Sequence, residues 1–198
     1  MSPAHVLEPT YERLKQSLLN GVWAQETRLE AQRLAEDFGV SMTPVRDCLN
    51  RLVGEGLVEF RPGEGYRVPR MTEKGLRDML ELSGVLIVEA IQSGTPQPTP
   101  KPKKPRLSGY AERVSAVLLE LAGWSHNAAF SAAIARVNEH LHLLRTVETG
   151  LLPDGYTEIE NIAELAFSHS TELSSAVFDF HQVRRIRTAE LIELLETR

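Results

Sequence analysis

The sequence predicts a mainly α protein in two parts: an N-terminal winged helix-turn-helix with a small β-hairpin wing, then an all-α helical bundle domain. Three observations carry that reading. Between Leu29 and Glu55, apolar residues recur at helical spacing on both sides of a glycine break. Two short β-prone runs then flank Pro62-Gly63-Glu64-Gly65, a turn-forming cluster. After Arg70 the apolar positions keep the helical period over long stretches, with no strand alternation. The expected division is residues 1–70 and 71–198.

The elements follow in order. Pro9 to Asn20 reads as a helix with Tyr11, Leu14 and Leu18 on one face, ended by Gly21; Thr27 to Leu29 leads onward. The next helix buries Leu34, Ala35 and Phe38, and Gly39 breaks it, since glycine accepts a left-handed exit. Ser41 or Thr43 is placed to cap the following helix, with Pro44 near its first position. That helix, about 43–54, turns Val45, Leu49, Leu52 and Val53 inward and leaves Met42, Thr43, Arg46 and Asn50 for a partner. Gly54 and Gly56 are expected to stop it. Leu57 to Phe60 and Tyr66 to Val68 form the hairpin. Modules of this kind usually set the second helix in a DNA major groove. The wing tip, 62–65, then falls at the minor groove.

In the second part, Thr72 caps a helix running to about Gln92, with Leu76, Met79, Leu80, Leu82, Leu86 and Ile87 among its apolar positions. Gly94 to Ser108 holds five prolines and reads as a polar, polyproline-like connector, a Pro-rich loop at 94–108. Its Lys101, Lys103, Lys104 and Arg106 are candidate DNA-backbone contacts. Three further helices are expected: Gly109–Ala122, Ser125–Thr149, and Thr157–Thr197 broken near Ser168–Thr171. In the second of these, Phe130, Ala133, Ile134, Val137, Leu141 and Leu144 form a core stripe.

Composition sets bounds. The 198 residues are 42% hydrophobic and 25% charged, ordinary for a globular chain. No apolar run approaches a membrane span, and Met1-Ser2-Pro3-Ala4-His5 does not open a signal peptide. The single cysteine, Cys48, excludes an intrachain disulfide and is expected as a small half-buried residue. A cytoplasmic protein without membrane contact is the expectation. Net charge is −5, and residues 1–70 hold nine Lys/Arg against ten Asp/Glu. DNA affinity depends on local clustering, and Arg33, Arg46, Arg51, Arg61, Arg67 and Arg70 are candidates to share one face. A near-neutral module implies two per site, hence a homodimer on double-stranded DNA. No phosphate-binding glycine loop, nucleophile elbow or metal-ligand spacing points to an enzyme.

The run Phe38-Gly39-Val40-Ser41-Met42-Thr43-Pro44-Val45-Arg46, followed by Leu49, Leu52, Glu55-Gly56-Leu57-Val58 and the Gly-x-Gly wing, resembles the GntR family of bacterial repressors. The resemblance spans about the first 70 residues. It implies a DNA-binding transcription regulator, with contacts from Gln32, Arg33, Ser41, Met42, Thr43, Arg46, Asn50, Arg61, Gly63 and Gly65. Where the family has a Pro-Gly turn, this chain has Ala24-Gln25-Glu26-Thr27. Gln32 and Met42 replace two family-typical arginines, which leaves a winged-helix adaptor for protein contacts as the alternative.

The C-terminal part resembles the helical sensor domain of the family's FadR branch, through Asp78 to Ala90, Leu118 to Ser125 and Arg184-Arg185-Ile186-Arg187. That resemblance implies dimerisation and a small-molecule effector of unknown identity. The branch's first-helix Arg and Glu appear here as Ser83 and Ile87. Its four metal-ligand places fall on Ala111, Ser115, Asn161 and His181. Only the last can ligate, so no metal and no cofactor is expected.

Overall fold

The computed structural model describes residues 3–95 and 109–197, with residues 3–5 as backbone alone. Most of the Pro-rich stretch, with its four basic residues, lies outside the described residues. The chain divides into two compact units, Met1–Met71 and Thr72–Arg198.

The first unit runs α1 (Pro3–Leu19), β1 (Arg28–Leu29), α2 (Ala31–Phe38), α3 (Met42–Glu55), β2 (Glu59–Arg61) and β3 (Gly65–Arg67). The sheet is antiparallel with order β1-β3-β2, pairing Arg28 with Arg67 and Phe60 with Tyr66. Tyr11 and Leu14 of α1 and Val45, Cys48, Leu49 and Leu52 of α3 are fully buried in one core. Each large apolar side chain buried there is worth about 1.5–3 kcal/mol. A polar clamp adds to the α1–α3 packing. The Tyr11 hydroxyl and Lys15 Nζ donate to Glu55 at 2.8 and 3.1 Å, and the Arg51 guanidinium lies 3.5 Å over the Tyr11 ring.

Several expectations change. Helix α1 runs through Pro9 instead of starting there; the Thr10 hydroxyl donates to the Val6 carbonyl at 2.7 Å beside the bond that proline forfeits. Ser41 has the extended backbone of an N-cap, but neither it nor Thr43 makes a capping bond among the described residues. Gly54 lies inside α3, and Gly56, at φ 79°, ends it. Cys48 is 1% exposed, not half-buried, because it faces the α1–α3 contact. The strands start two residues later in β2 and one earlier in β3, since Leu57 and Val58 are drawn into the core as the chain leaves α3. The third strand, β1, is an addition.

The second unit runs α4 (Glu73–Ser93), α5 (Tyr110–Gly123), α6 (Ala128–Val147), a 3-10 turn (Glu148–Gly150), α7 (Gly155–Phe167), α8 (Leu173–Ile186) and α9 (Thr188–Glu196). Thr72 caps α4 as expected, its hydroxyl accepting from the Gly75 N–H at 3.0 Å. Ile87, Val114, Leu118, Ile134, Ile159 and Val177 meet in the core. The final helical stretch is broken twice, not once. One break follows Phe167, where His169 takes φ 52°; the other is at Arg187, whose guanidinium donates to the Leu151 carbonyl at 3.1 Å. Among the described residues no helix is long and apolar enough to cross a membrane.

Candidate nucleic-acid interface

The helix-turn-helix geometry is set by one glycine and one buried row. Gly39 takes φ 68° and φ/ψ of the left-handed region, closing α2 with N–H bonds back to its last turn. Helix α3 then docks through Val45, Cys48, Leu49 and Leu52. This docking turns Met42, Thr43, Arg46 and Asn50 outward along a single exposed stripe, with Met42 43% exposed. The Arg46 side chain has no hydrogen bond or ion pair among the described residues, so its guanidinium stands ready for a phosphate or a guanine edge. Asn50 is not free. Its Oδ1 accepts from the Tyr66 hydroxyl at 2.8 Å, which ties the wing to α3.

The other expected contacts behave unequally. Gln32 is exposed and donates to Glu36 at 3.3 Å, while Arg33 pairs with Glu30 at 3.2 Å on the surface. Ser41 is exposed at the start of α3. Gly63 and Gly65 take φ 82° and 85°, with no close neighbour. They are glycines for backbone reasons. The six arginines do not form one open face. Arg51 is bound to Glu8 and Glu55 behind α3, Arg67 to Glu64, and Arg61 to both Glu26 and Glu59. The hydrogen bonds that Arg61 donates to Glu59 and Glu26 hold its guanidinium above its ordinary pKa, and the contact with Arg61 holds the Glu59 carboxyl below its own.

One residue escaped the sequence reading. Arg28, on β1, is exposed, and its side chain makes no ion pair or hydrogen bond among the described residues. A two-residue strand has no alternation to detect, so nothing marked its side chain as part of the wing.

In the second unit, the positions compared with a metal site have other surroundings. His181 is buried, with Nδ1 2.8 Å from the Val177 carbonyl and Nε2 3.0 Å from Ser83 Oγ, so both ring nitrogens are engaged. Asn161 is exposed and lines a cleft of about 230 Å³ between α7 and α8, with Glu158, Asp179 and Phe180. His181 is thus enclosed in the bundle, whereas Asn161 lies at its surface. Ser115 donates to the Ala111 carbonyl at 2.8 Å and receives Arg145 at 3.3 Å.

Buried polar side chains occupy the interior instead. Glu148 Oε1 accepts from the Tyr110 hydroxyl at 2.6 Å and from Arg184 Nε at 2.9 Å, and Arg184 also reaches Glu158 at 3.0 Å. Burial is the largest single influence on Arg184 and opposes its charge, but Glu148, Tyr110 and Glu158 together outweigh it and raise its pKa. Arg145, held by Asn138 at 2.8 Å, has its pKa lowered to about 10 by burial.

The comparisons agree with this architecture. The family model described as "Bacterial regulatory proteins, gntR family" matches residues 8–68. The HTH-type transcriptional regulator McbR of Escherichia coli K12 is 33% identical over 88 residues, covering 42% of this chain and 40% of that protein. The repressor GlaR of the same organism is 30% identical over 88 residues, with the same coverage. The alignments thus span about two-fifths of the length of these curated relatives. A transcriptional regulator GntR from Rhodococcus sp. RHA1 shares the fold at TM-score 0.72 and 14% identity, over 93% of this chain and 97% of that one. E. coli McbR/YncC does so at TM-score 0.63 and 19% identity, with the same coverage. These relatives are transcriptional regulators, not enzymes. Residues 8–68 of this chain are a GntR-family winged helix-turn-helix domain.

Proposed function

We propose that the chain is a cytoplasmic, homodimeric transcription regulator of the GntR type that binds double-stranded DNA. Helix α3 enters the major groove and the wing tip, 62–65, lies at the minor groove. The observation that carries this reading is the outward stripe of α3: Met42, Thr43 and an unneutralised Arg46 on a helix whose other face is fixed in a core. Gln32, Arg33, Ser41, Gly63 and Gly65 border the same contact. Asn50 acts through Tyr66, as a wing-positioning residue. Arg61 supports the wing from within its ion pairs.

The test is Arg46→Ala. Specific affinity for the protein's own upstream region should fall by about 1–3 kcal/mol, with melting temperature unchanged. Parental operator binding by the folded variant would place the wrong face on DNA. A parent that retards no upstream fragment would favour the adaptor reading, which the absence of arginine at Gln32 and Met42 supports. Effector control, in this proposal, enters at the α7–α8 cleft. The polar interior of the bundle is taken by Glu148, Arg184 and Tyr110, while Glu158 lines the cleft and binds Arg184.

A further inference from the structure

We propose that Arg28 is the cation the wing delivers to a DNA phosphate, while the wing's own carboxylates hold Arg61 and Arg67 back from that task. The inference rests on the DNA-binding reading above and identifies which residue of the wing serves it.

Three arginines share one face of the small sheet. Arg28 and Glu59 stand on either side of Arg67 in the strand register, and alternation along β2 and β3 puts Arg61 and Gly65 on that face too. Two of the three are committed. Arg61 reaches Glu26 at 3.2 and 3.3 Å and Glu59 at 2.9 and 3.1 Å. Arg67 reaches Glu64 at 3.1 Å and the Glu26 carbonyl at 2.9 Å. Four of the five N–H groups of Arg61 and two of those of Arg67 are thereby engaged, and the adjacent carboxylates offset the charge that either would present to a phosphate.

Glu26 shows that this clamp is built into the backbone. It is a non-glycine residue at φ 65°, in a conformation that costs an L-residue roughly 1–2 kcal/mol. Its N–H bonds to the Val68 carbonyl at 2.9 Å, and that fixed turn aims its carboxylate at Arg61.

Arg28 has no such commitment. Its Nε lies 4.0 Å from the point where a Cβ on Gly65 would stand, so the side chain runs beside the wing tip. It is exposed, and binding an anion there breaks no existing pair among the described residues.

The test measures affinity of the full-length protein for two unrelated duplexes across about 50–200 mM salt, where each phosphate contact adds about 0.9 to the salt slope. Arg28→Ala should weaken both duplexes alike, by about tenfold, and lower the slope by about 1. Arg28→Lys should restore the slope, and Arg61→Ala should leave it unchanged. Parental affinity and slope in Arg28→Ala, or a slope loss in Arg61→Ala equal to that expected of Arg28, would overturn the inference. Weakened binding in Arg46→Ala with none in Arg28→Ala overturns it alone. A parent that binds neither duplex overturns the DNA-binding reading with it.

Discussion

At the scale of single residues, the buried histidine of the second unit makes stability depend on pH. Burial, reinforced by the nearby Arg145, Arg184 and Arg185, lowers the His181 pKa from the usual 6.5 to about 4. The folded state therefore refuses a proton that the unfolded chain accepts between those values. The contribution is complete above about pH 6.5, is lost progressively as pH falls, and is constant below about 4. Its full size is on the order of 3 kcal/mol. Other groups titrate in the same window, so the measurement is a difference. Between pH 7 and pH 4.5 the parent should lose roughly 2–3 kcal/mol more unfolding free energy than His181→Gln, in urea titrations. Equal losses in the two proteins would assign the proton uptake elsewhere. None of this was visible in the sequence, where His181 stood out only as the last member of an incomplete ligand set. Its partner Ser83 lies on another helix, 98 positions away.

At the scale of elements, two glycines of the first unit should respond with opposite signs. Gly54 sits inside α3 with helical backbone and open space around its Cβ position. Gly54→Ala should stabilise the unit by about 0.5–1 kcal/mol. Gly65 also has room, but its φ is +85°, so Gly65→Ala should destabilise by about 1–2 kcal/mol through backbone strain alone. Thermal melts of the two variants decide it; shifts in the same direction would show that φ at Gly65 relaxes freely. The same contrast explains what could be read in advance. Helix α3 was legible because its burial repeats every three to four residues and a left-handed glycine stands at each end. Strand β1 was not, because two residues carry no period. The break at Arg187 has neither glycine nor proline to announce it. The wing's ion pairs were hidden for a different reason: they depend on the left-handed turn at Glu26, and no residue-type rule places a glutamate there.

At the scale of the whole molecule, the helical unit exposes more apolar surface on α4 and α8 than an isolated bundle needs. These helices run antiparallel, as the bonds Ser83–His181 and Glu81–Arg185 require. Away from that seam, Val85 is 62%, Phe178 53% and Ile186 82% exposed, with Leu82 also open to solvent. Such side chains give a two-fold interface its apolar centre. Pairing two chains would also double the cations of a module whose arginines are mostly self-neutralised, and would match the two half-sites of a palindromic operator. Full-length protein should therefore sediment as a dimer at micromolar concentration, whereas a fragment of residues 1–70 should be monomeric and bind DNA weakly. Val85→Lys with Ile186→Lys should shift the full-length protein toward monomer without loss of helical content. A stable full-length monomer at micromolar concentration would remove the dimer from the proposed function. It would also leave a single near-neutral domain, with Arg28 and Arg46 as the cations whose side chains are unpaired among the described residues of the contact, to account for all DNA affinity.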